Sequence, residues 1–260
     1  MPATFLSGVN MRLKDKVMLV TGGGSGIGQA TVILSAQEGA RVVVVYRGEA
    51  GRVETERMLQ EQERTGLFIQ ADVRKEADWR RVMGVVEEQY GRLDILFSNA
   101  GSTLIKTVTE IAEEEWDDLL ALNLKGVFLG AKHAIPLMIK GGGGSIVNMS
   151  SAFGLIGSPR MPAYCATRGG VNALTRQLAM EYAPHNIRVN AICPGPVLTP
   201  RIQRYLNEGK ITSEQLIKEV PMKRCAHPSE IATAVVFMAS DEASFMTGSI
   251  IVVDGGMTTH

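Results

Sequence analysis

The stretch Val17-Met-Leu-Val-Thr-Gly-Gly-Gly-Ser-Gly-Ile-Gly28 decides how this chain is read. An apolar run enters a loop with five glycines in seven positions, and a helical pattern, Ile27–Glu38, follows at once. Glycine lets the backbone turn tightly and come close to a ligand. The first turn of the next helix offers free N–H groups and the positive end of a dipole, both suited to phosphate. Strand, glycine turn and helix start in that order point to nucleotide binding. A plain strand-to-helix turn rarely uses so many glycines. The spacing is not G-x-G-x-x-G but G-x-x-x-G-x-G, at Gly22, Gly26 and Gly28.

Outward from this loop, short apolar runs alternate with longer helical patterns. The runs are Val17–Val20, Val42–Val45, Leu67–Ile69, Leu93–Phe97, Ser145–Asn148, Ile187–Ile192 and Ile250–Val253. They show little polar alternation, as expected of strands buried on both faces of a parallel sheet. Helical patterns such as Trp79–Tyr90 and Trp116–Ile139 fill the gaps. Right-handed strand–helix–strand units predict an α/β fold. It is a single-domain, Rossmann-like, doubly wound parallel sheet of about seven strands with helices on both faces. No linker divides it, and the glycine run Gly141–Gly144 reads as a connection before a strand. Residues 1–12 read as a loose N-terminal arm and 13–260 as one dinucleotide-binding and catalytic domain.

Composition narrows the function. Lysine plus arginine and aspartate plus glutamate are equal at 27 each, so no bulk charge draws the chain to nucleic acid or an anionic membrane. No apolar run reaches transmembrane length, and the N-terminus lacks the pattern of a signal peptide. Cys165, Cys193 and Cys225 are widely spaced, which suits reduced thiols in a cytoplasmic setting. The four histidines show no metal-ligand spacing, so no metal is expected.

Further motifs follow the strands in order. Asp72-Val73 follows the third run, Asn99-Ala-Gly101 the fourth and Ser150-Ser151 the fifth. Asn123 lies in Asn-Leu-Lys-Gly, Tyr164-Cys-Ala-Thr-Arg168 opens a helical pattern, Pro194-Gly-Pro-Val-Leu-Thr199 follows the sixth run, and Val253-Asp-Gly-Gly256 ends the seventh. Together with the glycine spacing they resemble the short-chain dehydrogenase/reductase family from about Leu13 to Gly256. The resemblance implies a nicotinamide cofactor held by Gly22, Ser25, Gly26, Ile27, Gly28, Asp72, Val73, Asn99, Ala100, Gly101, Tyr164, Arg168, Pro194, Gly195, Val197 and Thr199. Asp72 would hold the adenine amino group, and Pro194–Thr199 would cradle the nicotinamide. Ser151 would polarise the substrate oxygen, Tyr164 would exchange a proton with it, and Asn123 would hold a water in the proton relay. A homotetramer is also implied, built through the helices Trp116–Ile139 and Tyr164–Tyr182. Taken singly, Ser151 also reads as a cap, Tyr164 as a packed aromatic and Asn123 as a backbone-bonding residue.

Two positions carry readings of their own. Residues four apart share a helix face, so Arg168 sits beside Tyr164, and a cation beside a phenol favours the phenolate. The family's usual residue there is lysine. Arginine keeps the charge but spreads it over a bulky fork and cannot pass on a proton. The expectation is a cofactor-binding enzyme with reduced or retuned turnover. The second run ends Val44-Val45-Tyr46-Arg47, without the acid that commonly accepts from the ribose 2′-OH of NAD. Arg47 offers a fork suited to a 2′-phosphate, so NADP is preferred and NAD is the alternative cofactor. A solvated turn arginine is the plainer reading of Arg47.

The segment from Pro200 to Arg224 is the expected substrate lid, with Ile211, Leu216, Ile217 and Val220 on its apolar side. Its six basic residues (Arg201, Arg204, Lys210, Lys218, Lys223 and Arg224) exceed its three acids, Glu208, Glu214 and Glu219. A solvated face explains that balance, and so would an anionic substrate. The leading expectation is an NADP-preferring oxidoreductase that interconverts a ketone and a secondary alcohol. A 3-oxoacyl thioester reductase and a cofactor-binding sensor or scaffold with little catalysis stand beside it.

Overall fold

The computed structural model describes residues 11–259. Its strands are β1 Val17–Thr21, β2 Arg41–Tyr46, β3 Gly66–Gln70, β4 Ile95–Ser98, β5 Gly144–Met149, β6 Ile187–Pro194 and β7 Ile250–Val253. They form one parallel sheet in the order β3-β2-β1-β4-β5-β6-β7. The order reverses between β1 and β4, which opens a crevice at the carboxyl ends of those strands.

Side chains alternate across a strand, so each strand feeds two cores. Val17, Leu19, Val43 and Val45 pack on one face against α3 (Glu76–Tyr90) and α5 (Gly126–Lys140), through Trp79, Val82, Leu129 and Ile135. Met18, Val20, Val42 and Val44 pack on the other against α1 (Gly26–Gln37) and α9 (Pro228–Ala239), through Val32, Ile33, Ile231 and Val235. Burial on both faces explains the continuous valine runs of β1 and β2. The remaining helices are α2 Glu49–Gln60, α4 Glu113–Leu120, α6 Pro162–Tyr182, α7 Pro200–Asn207 and α8 Ser213–Ile217.

The structure corrects two expectations. Residues 1–10 of the expected arm lie outside the described residues, but Arg12 is not loose. Its Nε donates to Glu38 at 2.9 Å and its backbone N–H to the same carboxylate at 3.0 Å, while Leu13 is fully buried. The periodicity over Trp116–Ile139 predicted one helix. The structure instead joins α4 to α5 through a π-helical turn, Ala121–Lys125. Such turns insert a residue into the helical repeat and are frequent at functional sites. This one holds Asn123.

Candidate active site

The glycine loop spans the crevice at the end of β1. Gly22 and Gly26 take φ values of +65° and +55°, which side chains adopt poorly. A Cβ on Gly28 would stand 2.3 Å from the Gly22 carbonyl oxygen and 2.5 Å from Asn99 Nδ2, so helix and loop touch backbone to backbone. Ser25 is the N-cap of α1, but its hydroxyl caps nothing, and Ile27 packs against the second core. The Asn99 side chain braces the scaffold: Nδ2 donates to the Thr21 carbonyl at 2.9 Å and to the Gly22 carbonyl at 3.3 Å. Thr21 Oγ1 accepts from the Asn99 and Ala100 N–H groups at 2.9 and 3.0 Å, stitching β4 to β1. A Cβ on Gly26 would meet the Thr199 methyl at 3.2 Å, so the segment after β6 reaches the loop.

On the adenosine side, Asp72 is engaged by a neighbour. Arg74 Nη2 stands 2.7 Å from Asp72 Oδ2, and its hydrogen bonds hold the Asp72 carboxyl below its ordinary range. An adenine amino group would share that carboxylate with Arg74. The Val73 carbonyl accepts from the Trp79 indole at 3.0 Å. Arg47 is exposed at the end of β2 and makes no ion pair among the described residues. Tyr46 donates to Glu49 at 3.1 Å, which raises the phenol's pKa together with its desolvation, the larger cause. Glu49 in turn stands 3.7 Å from Arg52.

The reacting centre lies past β5. Ser151 follows the strand and is buried, and its oxygen accepts from the Phe153 N–H at 3.2 Å, leaving its own proton free to donate. Tyr164 sits half-buried in the first turn of α6, and its hydroxyl makes no hydrogen bond to a described residue. One turn on, the Arg168 guanidinium carbon stands 5.1 Å from the Tyr164 ring centroid. Arg168 is only 4% exposed. Its Nη1 donates to the Met149 carbonyl at 2.7 Å, its Nε is buried without a partner, and Nη2 makes no hydrogen bond. A Cβ on Gly101 would lie 2.5 Å from that Nη2, so the glycine leaves room for the fork.

Asn123 is fully buried, and its side chain is committed to structure. Its Oδ1 accepts from the Ser102 N–H at 2.9 Å, and its Nδ2 donates to the Ser102 carbonyl at 2.9 Å and to Thr167 Oγ1 at 3.2 Å. Thr167 Oγ1 donates to the Tyr164 carbonyl at 2.8 Å, so Asn123 braces the turn that carries the tyrosine. No side-chain donor of Asn123 is left for a water.

After β6, Pro194 ends the strand and a Cβ on Gly195 would meet the Asp254 carbonyl at 2.8 Å. Val197 is buried and bridges to Ala226, and Thr199 caps α7 by accepting from the Ile202 N–H at 3.4 Å. In the segment Pro200–Arg224, Val220 is the deeply buried apolar residue, packed with Ala152 and Met257.

Two contributors, Gly51 and Thr55, escaped the sequence reading. A Cβ on Gly51 would lie 2.5 Å from the Gly24 carbonyl, so α2 packs directly on the loop. Thr55 donates to the Gly23 carbonyl at 3.2 Å from the same helix. Arg201 donates to the Gly101 carbonyl at 3.0 Å. A glycine in the first turn of α2 was the only signal available for those two.

Among the described residues no group of histidine, cysteine, aspartate and glutamate could hold a metal, and no helix is long and apolar enough to cross a membrane. The fold and site define a dinucleotide-binding oxidoreductase of the α/β class. The chain belongs to the short-chain dehydrogenase/reductase family: the family model Enoyl-(Acyl carrier protein) reductase matches residues 22–258. It is 39% identical over 250 residues to a 3-oxoacyl-[acyl-carrier-protein] reductase of Thermotoga maritima, covering 95% of this chain and 99% of the relative. It is 39% identical over 249 residues to a cyclopentanol dehydrogenase of Comamonas sp., covering 96% and 99%. Among solved structures, levodione reductase superposes with a TM-score of 0.91 at 34% identity, covering 95% of this chain and 99% of that one.

Proposed function

We propose that the protein interconverts a ketone and a secondary alcohol, with NADP preferred over NAD. The carrying observation is the placement of Tyr164: its hydroxyl is unbonded, its ring faces the Arg168 guanidinium at 5.1 Å, and Ser151 retains a free donor at the end of β5. The residues fit a dinucleotide. The backbone contact at Gly28 leaves the α1 N-terminus bare for phosphate, and Arg168 holds an unbonded Nη2 and an orphaned Nε that ribose hydroxyls would satisfy. The bound nicotinamide supplies or accepts the hydride. Ser151 donates to the substrate oxygen and Tyr164 delivers the proton to it, or takes it in the oxidative direction. Arg168 supplies fixed positive charge beside the phenol throughout. Asn123 acts as a brace for the Tyr164 turn.

The preference for NADP rests on Arg47, exposed and unpaired among the described residues, and on Tyr46 standing where a carboxylate would repel a 2′-phosphate. Glu49 works against it, and its pairing with Arg52 weakens that opposition. Fluorescence titration with NADPH and NADH tests the preference; tighter NADH binding refutes it. A carbonyl panel assayed on the parent and Arg168→Lys tests the chemistry. The lysine variant is expected to turn over about tenfold faster, because the orphaned fork is replaced by a point charge. No gain on any substrate would make arginine a full replacement.

A 3-oxoacyl thioester reductase is the second reading, favoured by the basic segment Pro200–Arg224 and by the name of the Thermotoga relative. Turnover of an acetoacetyl thioester ahead of simple ketones would support it. Cofactor saturation without turnover across the panel would instead indicate a sensor or scaffold. Assembly into a homo-oligomer is supported by an apolar groove between α4–α5 and α6, where Leu120, Leu124, Leu174 and the 46%-exposed Phe128 face outward. Sedimentation as a monomer refutes it.

A further inference from the structure

We propose that Asn172 is a positioning residue that holds the Ser151 hydroxyl at its working distance from Tyr164. The inference rests on the reductase reading above, in which both hydroxyls meet the substrate oxygen. Tyr164, Arg168 and Asn172 follow one another at four-residue spacing in α6, so one helix face carries the phenol, the cation and the amide in succession. Asn172 is buried, and its amide ties α6 to two other elements. Its Nδ2 donates to the Gly154 carbonyl at 3.1 Å, and its Oδ1 accepts from Cys193 Sγ, in β6, at 3.7 Å.

Gly154 ends the 3₁₀ turn Ala152–Gly154, which Ser151 caps. Inside the turn the Phe153 N–H donates to Ser151 Oγ at 3.2 Å and the Gly154 N–H to the Ser151 carbonyl at 2.9 Å. A turn this short has few bonds of its own and poor hydrogen-bond geometry, so outside contacts set its pose. Here they bracket Ser151. Upstream, Arg168 Nη1 donates to the Met149 carbonyl at 2.7 Å, and Ser150 Oγ donates to the Arg168 carbonyl at 3.1 Å. Downstream, Asn172 holds Gly154. The turn also lies flat on the helix: a Cβ on Gly154 would stand 2.9 Å from the Arg168 carbonyl oxygen and 2.9 Å from Ser150 Oγ. The helix that carries Tyr164 thus carries Ser151 as well. The thiol of Cys193 fixes the sense of the amide, because a donor at Oδ1 leaves Nδ2 facing the Gly154 carbonyl. Without Asn172 the segment is anchored on one side of Ser151 alone, and the hydroxyl can swing about Ser150.

The test compares the full-length parent with Asn172→Ala, Gly154→Ala, the double variant and Thr175→Val on the best substrate of a carbonyl panel. NADPH affinity and thermal unfolding are measured in each, and kcat is expressed per NADPH site so that unfolded protein does not enter. Thr175 is the control: it is buried in α6 and accepts from Asn148 of β5 at 3.0 Å, but it makes no hydrogen bond to the turn. Asn172→Ala is expected to lower kcat about tenfold or more, with KM and NADPH affinity within about threefold of the parent. Gly154→Ala lifts the same turn and should reproduce the loss. The double variant should lose no more than the worse single variant, because both act through one turn. Thr175→Val should unfold at a lower temperature and keep its kcat. A kcat of Asn172→Ala within about threefold of the parent overturns the proposal. So does an equal loss in Thr175→Val, which would make the effect one of stability, and so do losses that multiply in the double variant. A fall in NADPH affinity that accounts for the loss would assign Asn172 to the cofactor and overturn it too. A parent that binds NADPH but reduces no carbonyl removes both the reductase reading and the proposal.

Discussion

Gly101→Ala probes the centre of the site with a single methyl group. Its Cβ would start 2.5 Å from Arg168 Nη2 and 3.0 Å from Asn123 Oδ1. Ordinary contact begins near 3.4 Å, so the guanidinium must retreat by about 0.9 Å, from 2.5 to 3.4 Å. It has little freedom to do so, because Nη1 is tied to the Met149 carbonyl at 2.7 Å and the residue is almost wholly buried. Overpacking of this kind costs about 1–3 kcal/mol of stability. Misplacing a catalytic group by about 1 Å costs roughly 100-fold in rate. The variant is therefore expected to fold, bind cofactor more weakly and lose about 100-fold in kcat on its best carbonyl substrate. Steady-state assays at saturating reduced cofactor, with urea unfolding alongside, measure both effects. Placing the same methyl in the Arg168→Lys background gives a cycle. Lysine has no Nη2, so the alanine should cost much less there. Turnover of Gly101→Ala within about threefold of the parent would refute the steric argument. An undiminished penalty in the lysine background would move the clash to Asn123.

Other outcomes follow from the scaffold. Thr21→Val removes the acceptor shared by the Asn99 and Ala100 N–H groups; two poorly satisfied amides predict a loss of about 2–4 kcal/mol in urea unfolding. The Arg12 hydrogen bond holds the Glu38 carboxyl below its ordinary value of 4.5. Its stabilisation is therefore present above that value and lost as the pH falls through the lower folded-state value. Arg12→Ala should be less stable by about 1 kcal/mol at neutral pH, with the gap closing in acid; a pH-independent gap would assign the effect to packing.

The central strands were legible because they are buried on both faces and read as apolar runs, as in the β2 stretch Val42–Val45. The glycine loop was legible because its geometry excludes Cβ atoms at fixed spacings, and Gly28 against Gly22 is the contact that enforces one of them. The π turn around Asn123 was not, because one inserted residue barely alters an apolar helical pattern. The roles of the polar residues were also hidden. The scaffold bonds of Asn123 to Ser102 and Thr167, and of Asn99 to Thr21, could not be read from the sequence. Hydrogen-bond partners distant in sequence leave no local trace.

The sequence by itself determined a doubly wound sheet, a phosphate-ready turn and a tyrosine–arginine pair on one helix face, since all three rest on local periodicity and spacing. Only the tertiary structure decided how that pair is used. It places Arg168 over the ring, anchors it on Met149 and fits it into the space left by Gly101. It also brings Arg201, from the segment after β6, to the Gly101 carbonyl. The physical reason is that the crevice is formed by loops from β1, β4, β5 and β6, and only their packing sets which donors remain unpaired.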